Sequence, residues 1–179
     1  MILTARPNSE ASCSNPATHL CVITETTEDR KHLVVTAFDP DKGRGLELAR
    51  FDVDPNVQDR HQYCICEISP DGTRLAVKHG DVGPIQILSL RGQPAQVIQP
   101  KGLNMGPDYH WAADGKGLYV GSALQGRTAL LHVDLEGGAH VVWENHGNNT
   151  TWAMPSPDGR HLAMLGWTQN SNMWMRENF

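Results

Sequence analysis

Apolar residues in this chain come in short runs, separated by polar stretches rich in Gly, Pro, Asn and Asp. One set precedes a tight polar segment: Tyr63–Ile68, Tyr109–Trp111 and Thr150–Met154. A second set follows it: Leu75-Ala76-Val77, Leu118-Tyr119-Val120 and Leu162-Ala163-Met164. After a polar loop comes a third set, Leu33–Phe38, Ile85–Leu90, Ala129–Leu135 and Met173–Met175. A glycine-bearing turn then leads to a fourth, Leu46–Phe51, Ala95–Ile98 and His140–Trp143. Runs of this length bounded by turn residues read as strands. No sustained helical period occurs anywhere.

The tight segment recurs. Ser-Pro-Asp-Gly stands at Ser69–Gly72 and at Ser156–Gly159, and a degraded copy, Ala112-Ala113-Asp114-Gly115, lies between them. The copies are 43 and 44 residues apart. A weaker copy starts at Ser14, 55 residues before Ser69, where Leu20-Cys21-Val22 matches Leu75-Ala76-Val77. The extra length is expected between Asp52 and His61. Four short strands per unit of this period is the signature of a propeller blade. The units are drawn at about 10–55, 61–100, 106–144 and 148–179. The predicted fold is therefore all-β, a propeller of about four antiparallel blades.

Each Asp-Gly is read as structural. Asp accepts hydrogen bonds from its own turn, and Gly takes positive φ at little cost. Asp71, Gly72, Asp114, Gly115, Asp158 and Gly159 are assigned to equivalent hairpins. The pattern Ser-Pro-Asp-Gly-x-x-Leu-Ala, a loop, then a run ending near Asp-Leu-x-Gly-Gly resembles the TolB-type, WD40-like β-propeller repeat. Ala112–Gly138 matches best and Ser156–Phe179 is close behind. The Gly-His and Trp-Asp dipeptides of true WD40 repeats are absent. More narrowly, Thr36–Phe51 and Ser156–Phe179 resemble propeller regions at the C-terminus of bacterial multidomain proteins. In those, a Ser/Thr kinase or a winged-helix DNA-binding domain precedes the propeller.

The chain has 179 residues, enough for one domain with a sizeable core. Its 15 basic and 20 acidic residues give a formal charge of −5 and no basic stripe, a poor match to nucleic-acid binding. No run approaches the ~20 apolar residues of a membrane span, and the first residues do not read as a signal peptide. The sequence does not assign a compartment. Of four cysteines, Cys64 and Cys66 lie two apart on one predicted strand and face the same side. No Cys-x-x-Cys occurs. Cys13, Cys21, Cys64 and Cys66 are expected to be buried free thiols, with a redox or metal role as the alternative.

Catalytic signatures are missing. There is no Gly-x-Ser-x-Gly elbow, no kinase motif and no His-Glu-x-x-His. His132 and His140 fall on successive strands and can approach each other, but no third ligand is evident, so no metal and no cofactor are expected. Trp111, Trp143, Trp152 and Trp174 are expected in blade packing, and Trp167 beside a polar loop is expected to be exposed.

The last unit shows three strands, which reads as the C-terminal part of a larger, open propeller. Open blade edges and faces then favour self-association. Function is expected on the loops that join second to third strands and blade to blade. The candidate ligand-binding residues there are Arg60, His61, His79, Asp81, Asn149, Trp167 and Gln169. The Asp-Gly hairpins lie at the opposite face, as scaffold. The reading is a noncatalytic module that binds a protein or small-molecule ligand, the sensor or regulatory region of a larger signalling protein. The alternatives are the propeller cap of a serine peptidase, or a hydrolase or lyase with titratable residues converging on the axis.

Overall fold

The computed structural model describes residues 9–14, 20–52, 64–79, 83–124, 127–146 and 151–166. All regular structure among them is strand. The first sheet has the order β1 (Glu10–Cys13), β2 (Cys21–Thr26), β3 (His32–Asp39) and β4 (Gly43–Asp52). The second runs β5 (Cys64–Ile68), β6 (Arg74–His79), β7 (Ile85–Ser89) and β8 (Gln96–Ile98). The third runs β9 (Met105–Trp111), β10 (Gly117–Leu124), β11 (Arg127–Asp134) and β12 (Ala139–His146). Of the fourth, β13 (Thr151–Pro155) and β14 (Leu162–Gly166) are described. Each sheet is an antiparallel meander. The expected run around Met173–Met175 lies outside the described residues.

Alternation along the strands explains how the sheets stack, because successive side chains point to opposite faces. On β6, Leu75 and Val77 join Val22, Leu33, Val35, Cys66 and Ile68 in one core between the first and second sheets. Ala76 instead joins Ile85, Ile87, Tyr109, Trp111, Leu118 and Val120 in a second core between the second and third. A sheet sandwiched on both faces thus shows continuous apolar runs. The outer strands β4 and β12 are mostly exposed. Register shifts interrupt β3–β4 and β11–β12, and such bulges disrupt an edge as a template for further pairing.

The inner strands β1, β5, β9 and β13 are the first of their sheets. Sheet packs on sheet in chain order, β1 and β2 on β5, β5 on β9, and β9, β10 and β11 on β13. No packed interface joins the fourth sheet to the first among the described residues. The described residues form an open propeller arc.

One expectation is overturned. Cys13 and Cys21 form a disulfide. The β1–β2 register makes them directly opposed partners, with Cα atoms 4.0 Å apart. Cys66 is a buried free thiol.

The three Asp-Gly segments adopt one geometry. Gly72, Gly115 and Gly159 have φ of 67°, 67° and 68°. Their amides donate to the carbonyls of Ser69, Ala112 and Ser156 at 2.8, 2.8 and 2.9 Å. In the intact copies the serine hydroxyl works twice. Ser69 Oγ donates to Asp71 Oδ1 at 2.6 Å and accepts from the Arg74 amide at 3.0 Å. Ser156 Oγ does the same with Asp158 and the His161 amide, at 2.6 and 3.0 Å. The Ser156 hydroxyl and the Arg160 amide hold the Asp158 carboxyl below its ordinary range. Ala112 has no hydroxyl to offer, and Asp114 accepts only from the Lys116 amide among these contacts, at 2.9 Å.

Candidate functional site: a cleft between the inner strands

The inner strands of all four blades converge on one cleft of about 470 Å³. Glu10 to Ser14, Ile65 to Ile68, Tyr109 to Trp111 and Met154 to Pro157 line it, together with Pro70 and Ala113. Pro70, Ala113 and Pro157 belong to the Asp-Gly turns. The cleft therefore lies at the hairpin end of the arc, the end that sequence reading treated as scaffold.

Its polar groups come from different blades. Glu67, on β5, spans to β9: its Oε1 is 2.9 Å from His110 Nδ1, and its Oε2 accepts from the Trp111 amide at 3.0 Å. His110 in turn meets Trp152 of β13 edge-on, with ring centroids 5.3 Å apart. Ser12 Oγ on β1 accepts from the Ile68 amide at 3.3 Å. The Tyr109 hydroxyl lies 2.6 and 2.9 Å from the carbonyl oxygens of Ile65 and Ala76, sharing its proton between them. Burial in the cleft, and then the nearby charge of Asp108, push the Glu10 carboxyl above its ordinary range, although the residue as a whole is exposed.

Arg74 braces the cleft rim from behind. Its Nη2 donates to the Gly115 carbonyl at 2.7 Å, and its guanidinium sits 5.2 Å from the Trp111 ring centroid. Trp111 is 3% exposed, as its packing role requires. Trp143 and Trp152 are half-buried, while Trp167 and Trp174 lie outside the described residues.

The loop face is less fully described. Arg60, His61, Asp81, Asn149, Trp167 and Gln169 lie outside the described residues, as does the side chain of His79, whose backbone pairs with Cys64. Beside His79 sits a residue that sequence reasoning passed over. Lys78 is 1% exposed, and its ammonium donates to the carbonyls of Gly106 and Met105 at 2.6 and 3.3 Å. The signal was its place in the alternation: Lys78 shares a face with the core residue Ala76.

His132 and His140 do meet, as directly opposed partners with ring centroids 5.0 Å apart. Tyr119 packs edge-on against His132 at 5.3 Å. Burial, and then the proximity of His140, lower the His132 pKa. Among the described residues, no group of three or more His, Cys, Asp and Glu is placed to hold a metal.

No known protein-family model matches the chain, and no curated protein matches it in sequence. Solved structures do. TolB from Acinetobacter baumannii superposes with a TM-score of 0.65 at 15% identity, over 95% of this chain and 40% of that one. A TolB-type structure from Agrobacterium tumefaciens gives 0.56 at 14%, over 92% of this chain and 61% of that one. The β-propeller domain of the Trilobed protease from Pyrococcus furiosus, described as having an open velcro topology, gives 0.51 at 14%, over 93% and 56%. This chain thus spans 40% to 61% of the length of these structures. At such identities the likeness is one of architecture: the chain has the TolB-type β-propeller fold, built here as an open arc of blades.

Proposed function

We propose that this chain is a noncatalytic binding module, part of a larger sensor or regulatory protein, and that its inner-strand cleft takes a protein segment or a small molecule. The observation that carries this reading is the convergence of the inner strands of all four blades on one cleft. Walls built on hydrogen-bonded strands hold recognition groups in fixed relation, with little ordering cost on binding. The groups present suit recognition. Met154, 44% exposed, offers apolar surface, and Glu10 offers an acceptor. Glu67 and His110 are committed to each other and to the Trp111 amide, which favours a structural strut over a free acid–base pair.

A second reading has one observation behind it. The raised Glu10 carboxyl is what an enzyme of the axis, a hydrolase or lyase, uses as a proton donor. The likeness to a protease's propeller domain keeps a third arrangement in view, a propeller cap over a peptidase.

Screening peptides and metabolites against the whole chain by thermal shift and tryptophan fluorescence tests the proposal. Hits are expected to lose their shift in Met154→Glu and to keep it in Val97→Lys, on the exposed face of β8. Hits indifferent to Met154→Glu would place binding elsewhere. Chemical conversion of a hit, lost in Glu10→Gln, would favour the enzyme.

A further inference from the structure

We propose that the Cys13–Cys21 disulfide is a redox modification site that latches strand β1 in place, so that reduction by an external dithiol undocks one wall of the cleft. Its consequence for binding rests on the cleft reading above; the latch itself does not.

The argument starts from what holds each inner strand. β5 contributes Cys66 and Ile68 to one core, and β9 contributes Met105, Tyr109 and Trp111 to the other. Those strands are anchored by buried apolar surface. β1 is four residues long, and neither core includes any of them. Glu10, Ala11 and Cys13 are exposed, and Ser12 is half-buried. Among the described residues, what ties β1 down is its ladder to β2, its packing on β5, the Ser12 contact with the Ile68 amide, the Ser14–Leu20 contacts, and the disulfide. A ladder this short, with no buried apolar side chain among the described residues of β1, belongs to the less stable parts of a structure. The covalent link is the strongest of these constraints. Yet Glu10 to Ser14 form a continuous part of the cleft lining.

The disulfide is also reachable. Cys13 is exposed, whereas Cys21 is 5% exposed. A thiolate of a dithiol reductant attacks Cys13 Sγ; the S–S bond breaks, and Cys21 leaves as a thiolate that takes up a proton. The second thiol of the reductant then attacks the mixed disulfide and frees Cys13. Two electrons pass to the cystine, and the dithiol becomes a disulfide.

Hydrogen exchange on the whole chain, oxidised and after dithiothreitol, tests the latch without any ligand. Thiol labelling under denaturing, non-reducing conditions should find two of the four cysteines protected, and all four free after reduction. On reduction the β1 amides are expected to exchange on the order of tenfold faster or more, while those of β5 and β9 change little. A Cys13→Ser/Cys21→Ser variant should behave as the reduced protein does. Four free cysteines before reduction would overturn the proposal. So would unchanged β1 exchange, or acceleration in all strands together, which would make the disulfide a staple of the whole fold. If β1 loosens but ligands found for the cleft bind as before, the latch stands and the cleft reading falls.

Discussion

Trp111 and Glu67 hold each other twice: the Trp111 amide donates to Glu67 Oε2, and the indole Nε1 donates to the Glu67 carbonyl, both at 3.0 Å. Backbone and side chain of each residue are used at once, across a blade boundary. Removing the carboxylate leaves a partly buried amide and His110 without their acceptor, and unmatched groups of this kind cost about 1–3 kcal/mol. Glu67→Ala is therefore expected to lower the denaturant midpoint at unchanged m-value. Trp111→Phe keeps the ring and loses one bond, so its cost beyond lost packing should be nearer ~1 kcal/mol.

Two glycines are expected to resist alanine for different reasons. A Cβ on Gly121 would collide with the backbone carbonyl of Thr151 on β13, so Gly121→Ala should push blade four away from blade three. Gly159 has room limited by Ala113 Cβ at 3.2 Å and a φ of 68°, so Gly159→Ala should cost more than ~1 kcal/mol through backbone strain. Thermal melts of both variants check this. A melting temperature unchanged in either one contradicts the corresponding account.

A serine in place of Ala112 should stabilise. The other two turns show where its hydroxyl would go, onto the Asp carboxylate and the amide five residues on. One satisfied hydroxyl contributes about 0.5–1.5 kcal/mol, a rise of a few degrees in melting temperature for a chain of this size. Differential scanning calorimetry of Ala112→Ser decides it.

His132 sets a pH dependence. Burial and then His140 depress its pKa below 6.5, against the weaker opposing pull of Asp114 and Asp134. The unfolded chain takes up this proton near the ordinary value and the folded chain at lower pH. Stability is thus expected to fall as pH falls below about 6.5. Solvent screening of this partly exposed ring keeps the effect small. Urea titrations at pH 7.5 and 5.5 should show a smaller drop for His132→Gln than for the native chain.

The repeat made much of the fold legible. Period, turn chemistry and strand-length runs are all local, and the Asp-Gly copies turned out superposable in φ and hydrogen bonding. The cleft was not legible. Glu10, Glu67, His110 and Met154 come from four units and meet only because inner strands converge. The disulfide escaped for a similar reason: Cys13 and Cys21 carry no motif, and only the β1–β2 register opposes them. Lys78 was hidden by the habit of reading a lysine as a surface residue, whereas here two carbonyls of the next blade receive it.

Blade four presents Met154, Met164 and Leu165 at 44%, 48% and 49% exposure. With Met164 on one face of the sheet and Met154 and Leu165 on the other, exposed apolar side chains on both faces favour association. Light scattering after size exclusion is expected to show oligomers whose share grows with concentration and shrinks in Met164→Lys/Leu165→Lys. A monodisperse native chain would contradict this.

The joints between blades share a grammar. Lys78, Arg74, Tyr109 and Trp111 each reach across a boundary and bond a main-chain oxygen. Every residue type carries that oxygen, so these particular bonds do not depend on which side chain stands at the accepting position. Repeats can then diverge, duplicate or be shuffled while still docking on one another. An assembly wired through its main chain can hold one shape under different spellings, and this chain shares its architecture with known structures at 14–15% identity.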